Sequence, residues 1–358
     1  MSLYRALGKR IITEEEIESG PIRTKGDYKL EHIPPGDTNP TPFKEIGLGK
    51  PMSIWIRHIF VGARAPLRPD LLVTSAIKSV QTFNEAPHAV NFVAENIGKN
   101  KHISNVPATD KGTPIVFYTP SLIEENMVIT FELKLDILKD YLTTISNAFK
   151  SLAGIPIFSA ESAGLSAGFT AAGIATGILK KILDIIFKGM TLLKVTAPLN
   201  FKLAGSEIPE AGFYLLTEKE ISEDIIKNYY VDSKGSLVKR DNTNEVFEGE
   251  FPYIIISIDG CEYDSFKDFI PTAASSVLLE KFFKSKEKDR FDFSNEIVQA
   301  VTLYSDMFYK DKAIDVKKKR DSCIKDSPEW KKRDEELKAY IKNILNEEIK
   351  ELVNKQIN

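Results

Sequence analysis

The sequence predicts an α+β protein: an antiparallel β-sandwich interrupted by a helical insertion and followed by a helical C-terminal region. Three observations predict it. Between Pro51 and Asp136, runs of β-branched and aromatic residues alternate with separators rich in Pro, Gly, Asn and Asp. Strand character then breaks for roughly 55 residues, about 137–191, and returns at Leu192. From Thr272 onward apolar residues recur at helical spacing within a charged background.

Composition bounds the function. A chain of 358 residues holds one large domain or two ordinary ones, and 42% hydrophobic with 10% aromatic residues is an ordinary globular content. A net charge of -3 gives no global field toward nucleic acid or an anionic bilayer. Cys261 and Cys323 are the only cysteines, too few for a disulfide framework and in keeping with a reducing compartment. The opening MSLYRALGKR lacks the apolar core of a signal peptide, so a cytoplasmic location is expected.

Residues 1–50 read as a Pro/Gly-rich arm. Thr13 and Glu16 have capping-box spacing and open one short helix toward Gly20. Pro21, Pro34, Pro35, Pro40 and Pro42 then forbid helix or central strand, which leaves a strap over the body or a docking arm. Residues 51–264 form the sandwich, with strands expected at 53–63, 71–79, 89–96, 114–120, 125–136, 192–203, 212–216 and 252–259. In 127–135, Met127, Ile129, Phe131, Leu133 and Leu135 share one face, and Val128, Thr130, Glu132 and Lys134 the solvated one. Thr217 and Glu220 form a second capping-box pattern, opening a helix to Asn228, and 229–241 reads as a hairpin around Ser233, Lys234 and Gly235. Residues 265–358 are helical, with Ser327 as N-cap and Pro328 at the first position of a long last helix striped by Trp330, Leu337, Ile341, Ile344, Leu345 and Leu352.

The insertion carries most of the functional signal. Between Glu161 and Lys180 lie 18 consecutive uncharged residues. The first half is small-residue chain in which Gly164/Gly168 and Gly173/Gly177 have the GxxxG spacing that lets helix backbones approach. In the second half, Ile178, Leu179, Ile182, Leu183, Ile185, Ile186 and Phe187 cover a broad helical arc, opposite Lys180, Lys181, Asp184 and Lys188. That pattern suits a helix lying in a membrane interface. A helix covering a sheet needs the same arc, and 18 low-bulk residues are marginal for a span.

Catalytic motifs are absent. No phosphate loop, dinucleotide fingerprint or nucleophile elbow occurs. His32, His58, His88 and His102 have no companion at zinc-ligand spacing, so no metal site is expected. Cys261 beside a turn is a nucleophile only if His58 or His88 reaches it; a structural cysteine at a strand end is the plainer reading. The acidic set Asp259, Glu262, Asp264 and Asp268 has the character of a calcium-binding loop but lacks a partner cluster beyond Asp70 and Asp110. The basic tract Lys317–Arg320 has acidic neighbours and no interleaved aromatics, which reads as a solvated face.

In outline the predicted strands resemble C2-like or immunoglobulin-like modules, without a diagnostic motif of either. The expected function is a non-enzymatic effector or interaction protein with no cofactor. Its partner is another protein or a second copy. The masked insertion acts on membranes or in self-assembly after release, through Gly164, Gly168, Gly173, Gly177, Ile178, Leu179, Lys180, Lys181, Ile182, Ile185, Ile186, Phe187 and Lys188. The alternative is a structural component in which the insertion is ordinary core.

Overall fold

The run Tyr253–Asp259 carries large side chains on both parities, so a strand built from it must be covered on both faces. In a computed structural model of the chain this run lies within a seven-stranded sheet, with all of its residues buried. The structure describes residues 2–13, 16, 30–34, 37–63, 70–78, 88–104, 112, 114–136, 190–201, 210–263 and 293–357.

In chain order the described strands begin with β1 (Ser2–Leu7), β2 (Arg10–Thr13), β3 (Glu31–His32), β4 (Thr41–Pro42) and β5 (Met52–Phe60). They continue with β6 (Asp70–Lys78), β7 (His88–Ala94), β8 (His102–Ser104), β9 (Ile115–Thr119) and β10 (Asn126–Asp136). The rest are β11 (Met190–Asn200), β12 (Gly212–Thr217), β13 (Tyr229–Val231), β14 (Leu237–Lys239) and β15 (Tyr253–Asp259). The helices are α1 (Glu223–Asn228), α2 (Phe293–Asp321), α3 (Pro328–Lys342) and α4 (Glu347–Ile357). The larger sheet runs β2-β1-β12-β15-β5-β8, with β9 also on β5; the four-stranded sheet runs β11-β10-β6-β7. Every pairing between these strands is antiparallel. The chain is therefore α+β, built mostly of antiparallel sheet with helices at its C-terminal end.

One hydrophobic core joins the two sheets: Ile54, Ile56 and Ile59 of β5 and Ile254, Ile256 and Ile258 of β15 belong to the same cluster as Val73, Phe131, Leu133 and Val195. On its other face the large sheet buries Phe60, Leu215, Tyr253 and Ile255 beneath Val231 and Leu237 of the β13–β14 hairpin, with Ile221 and Ile226 around α1 packed against them. Both parities of β15 are thus used, which is why its sequence is so apolar.

A bulge in β5 does the same for its neighbour. The register skips Arg57, placing His58 opposite Ile255 and Ile56 opposite Ile256. The extra residue exchanges the faces, so Ile59 rejoins the inter-sheet core while Phe60 turns to the opposite cluster.

The first fifty residues divide. Residues 2–13 form β1 and β2 of the large sheet, held by buried Tyr4, Ala6, Leu7, Ile11 and Ile12. The prolines on which the reading of 1–50 as a strap or docking arm rests begin only after them. The Thr13 capping box is present: Thr13 N–H donates to Glu16 Oε2 at 2.8 Å and Glu16 N–H to Thr13 Oγ1 at 3.1 Å. From Leu30 to Lys50 the described chain lies against the body: Ile33 N–H donates to Ser233 O at 2.8 Å, and Phe43 stands edge-on to Phe213, centroids 5.1 Å apart.

The alternation in β10 holds. Met127, Ile129, Phe131, Leu133 and Leu135 are buried and Val128 is exposed. Glu132 and Lys134, placed by their parity on the opposite face, are also buried, and there they pair at 3.5 Å while Lys194 reaches Glu132 at 2.7 Å. Thr217 opens no helix. It ends β12 with its hydroxyl on Pro252 O at 3.3 Å, and α1 starts at Glu223.

The C-terminal helix predicted as one piece is two. Ser327 caps α3 as expected, accepting from Trp330 N–H at 3.2 Å, but the helix ends at Lys342 and α4 begins at Glu347. Leu337, Tyr340 and Ile344 pack with Tyr309, Val316 and, from the sheet body, Ile123. Past the break the stripe rotates: Ile349 and Val353 are buried, whereas Leu345 and Leu352 are exposed.

Candidate functional site

The insertion residues singled out above, Gly164 through Lys188, lie outside the described residues. What the structure fixes is where the chain departs and returns. β10 and β11 are antiparallel neighbours, and Leu135 pairs with Met190. Residues 137–189 are therefore spliced into a hairpin at one end of the four-stranded sheet.

Among the described residues, two clusters are built around histidines. The first forms where β15 ends. Asp259 is fully buried; its Oδ1 accepts the Lys44 N–H at 2.7 Å and its backbone oxygen accepts from Ser53 Oγ at 3.3 Å. Gly260 then allows the backbone at Lys44 and Glu45 to pass close, with Gly260 N–H on Lys44 O at 3.1 Å; a Cβ there would run into Glu45 O. That approach brings β3 over the strand end, where His32 Nε2 sits 3.3 Å from Asp259 Oδ2 and the imidazole stacks on Phe43 at 4.2 Å. Arg57, the bulge residue, secures the same segment by donating to Ile33 O at 2.5 Å. The half-buried Cys261 completes the group: one ligand atom each from His32, Asp259 and Cys261 lie within 4.8 Å of one another.

The electrostatics of this cluster disfavour a free nucleophile. Burial, a hydrogen bond to the Asp259 carboxylate and its negative charge push the Cys261 thiol up to about 12, so the side chain is a neutral thiol at ordinary pH. Burial raises Asp259, but the combined pull of His32, Cys261 and the Lys44 N–H leaves its carboxyl below the usual range. The histidine that meets the cysteine is His32, brought from the opposite end of the chain, rather than His58. The side chain of His88 lies outside the description.

His58 belongs to the second cluster. Its Nε2 lies 3.0 Å from His102 Nδ1, its Nδ1 lies 3.3 Å from Ser236 Oγ, and His102 Nε2 is 3.6 Å from Glu248. Burial, and then the like charge His102 would carry, hold His58 down at about 3. His102 is also lowered, by burial, against the pull of Glu248. In the unfolded chain His58 would titrate near 6.5. Between about 6.5 and 3 the unfolded state therefore binds a proton that the folded state refuses. Stability from this residue is intact above that window and falls as pH drops through it, by up to about 1.4 kcal/mol per unit. His58→Gln is expected to flatten the decline of the urea midpoint between pH 7 and pH 5. Parallel pH profiles for variant and wild type would show that folded His58 takes its proton freely.

The other acidic and basic candidates disperse. Asp259 faces His32, whereas Glu262 is exposed and lies 3.5 Å from Lys342. Asp264, Asp268 and Asp110 lie outside the described residues, and Asp70 is committed to the Asn96 N–H at 3.0 Å. In the basic tract Lys317 pairs with Asp321 at 3.0 Å, and Arg320 with Asp321 and Asp334 at 2.9 Å each while covering the Trp330 ring. Among the described residues no helix is long and apolar enough to cross a membrane. Comparison of the chain with protein-family models, with curated proteins and with solved structures found no match.

Proposed function

We propose that the chain is a non-enzymatic effector or interaction protein of a reducing, cytoplasmic compartment, in which a β-sandwich body of C2-like or immunoglobulin-like outline carries residues 137–189 as its working segment. The observation that carries this reading is the splice point. Strands of eleven residues each, paired along their length up to Leu135 and Met190, need only a two-residue turn to close. The chain instead places there a long excursion holding two GxxxG pairs and a basic amphipathic arc. The shared core of the two sheets supports the sandwich. Released by a partner or a cut, the Ile178–Phe187 arc would enter a membrane interface with Lys180, Lys181 and Lys188 at the headgroups, or pair with another copy through the glycines.

The test replaces 137–189 by an Asn-Gly turn. The shortened chain is expected to keep the melting temperature of the parent within a few degrees. It should lose the leakage of anionic vesicles, or the self-association, that the proteolytically nicked parent displays. A shortened chain that fails to fold would make the insertion core and put the structural-component reading in its place.

A further inference from the structure

We infer that His32, Asp259 and Cys261 form a binding site for one zinc-type divalent cation, tying the β3 segment to the end of β15. The three ligand atoms already lie within 4.8 Å of one another. Tetrahedral zinc, at about 2.0–2.3 Å from nitrogen, oxygen and sulfur, holds its ligands roughly 3.3–3.8 Å apart, so closing the widest gap takes at most about 1.5 Å. His32 Nε2 and Asp259 Oδ2, at 3.3 Å, are at that separation now. One imidazole, one carboxylate and one thiol select a borderline-soft ion and reject calcium and magnesium, which take oxygen ligands.

Independent of spacing, the site holds buried polar atoms without hydrogen-bond partners. Both ring nitrogens of His32 and Oδ2 of Asp259 are in that state, although these residues are only 1% and 0% exposed. His32 Nε2 and Asp259 Oδ2 face each other at 3.3 Å without the alignment of a full hydrogen bond. One cation would satisfy Nε2 of His32 together with Oδ2 of Asp259. The support around them is also that of a metal site. The Lys44 N–H fixes Oδ1 and so aims Oδ2, and Phe43 holds the ring plane. Cys261 is a free cysteine of intermediate burial, and three protein ligands would leave the fourth position of a tetrahedral ion to water. Arg57, close enough to sense the Asp259 charge, opposes a cation, and the two negative charges of carboxylate and thiolate offset it. On binding, the Cys261 S–H proton leaves to solvent as the thiolate bonds the ion; no electron is transferred.

The experiment uses the full chain, stripped of metal and titrated with zinc against a chromophoric chelator, and with cobalt followed by absorption. One equivalent of zinc and a thiolate-to-cobalt charge-transfer band are expected. Cys261→Ser should remove the band and weaken zinc at least tenfold, His32→Gln should weaken it similarly, and Cys323→Ser should change neither. Zinc binding unaffected by Cys261→Ser would mean an adventitious ion only, and no stoichiometric binding by a natively melting chain would overturn the site. Should His32→Gln fail to fold, the Cys261→Ser variant, altered at a half-exposed position, decides alone.

Discussion

Phe131→Asp is expected to unfold most of the protein, while Val128→Asp, three residues away on the same strand, is expected to leave it folded. Phe131 is fully buried in the core that joins the two sheets, opposite Ser75 on one neighbour and Val195 on the other. Truncation of such a phenylalanine alone costs about 3–5 kcal/mol. A carboxylate in its place adds the cost of a charge buried without a partner, which reaches the whole stability of a typical domain, about 5–15 kcal/mol. Val128 stands on the other face at 36% exposure, so its replacement loses chiefly β-propensity, under about 1 kcal/mol. Urea midpoints measure both. Equal shifts would mean that β10 faces the other way or that the inter-sheet core is not where the stability resides.

Much of the body was legible because strand signals are local. The parity of 127–135 follows from five apolar residues at period two, and the structure buries all five. The hairpin around Gly235 follows from a residue that tolerates a φ of +85° between two short apolar runs. What local pattern does not encode is pairing. β1 and β2 fall in a region dominated by prolines further on, and nothing nearby tells that Tyr4 will meet Leu215 across a sheet. The β5 bulge is invisible for the same reason, since Arg57 is extra only with respect to a partner strand. Glu132 and Lys134 read as solvent-facing because the pattern reports a face and not what covers it.

The candidate site was hidden more deeply. Zinc-ligand spacings are recognised when the ligands share a turn or a helix, and His32 and Asp259 share neither. Two sequence signals bear on it in retrospect. Asp259-Gly260-Cys261 puts a carboxylate and a thiol around a glycine at a strand end, and the proline-bounded segment holding His32 has too little apolar content of its own to stay extended unsupported. Neither signal names the other. Their meeting depends on Gly260 admitting the backbone at Glu45 and on Arg57 reaching Ile33, both of them tertiary facts.

Asp306→Ala is expected to cost about 3–6 kcal/mol, and the loss should concentrate at the junction of α3 and α4. The carboxylate is 1% exposed and accepts two backbone donors, Leu345 N–H at 2.9 Å and Asn346 N–H at 2.8 Å, in the break between the helices. A continuous helix would have satisfied those amides internally. Once the chain turns at Asn343, α2 must supply the acceptor, and Asn346 in turn accepts the Ile349 N–H at 3.2 Å to begin α4. Removing the carboxylate strands two donors, each worth about 1.5–3 kcal/mol when bonded to a charge. Asp306→Asn keeps one acceptor oxygen and should fall between. Hydrogen exchange at Leu345 and Asn346 should accelerate well beyond that at Leu337, which lies in the same cluster but within α3. If Asp306→Ala melts like a surface substitution and those amides stay protected, Asn343 and Asn346 impose the break by themselves, and the buried carboxylate is not what holds α4 against the body.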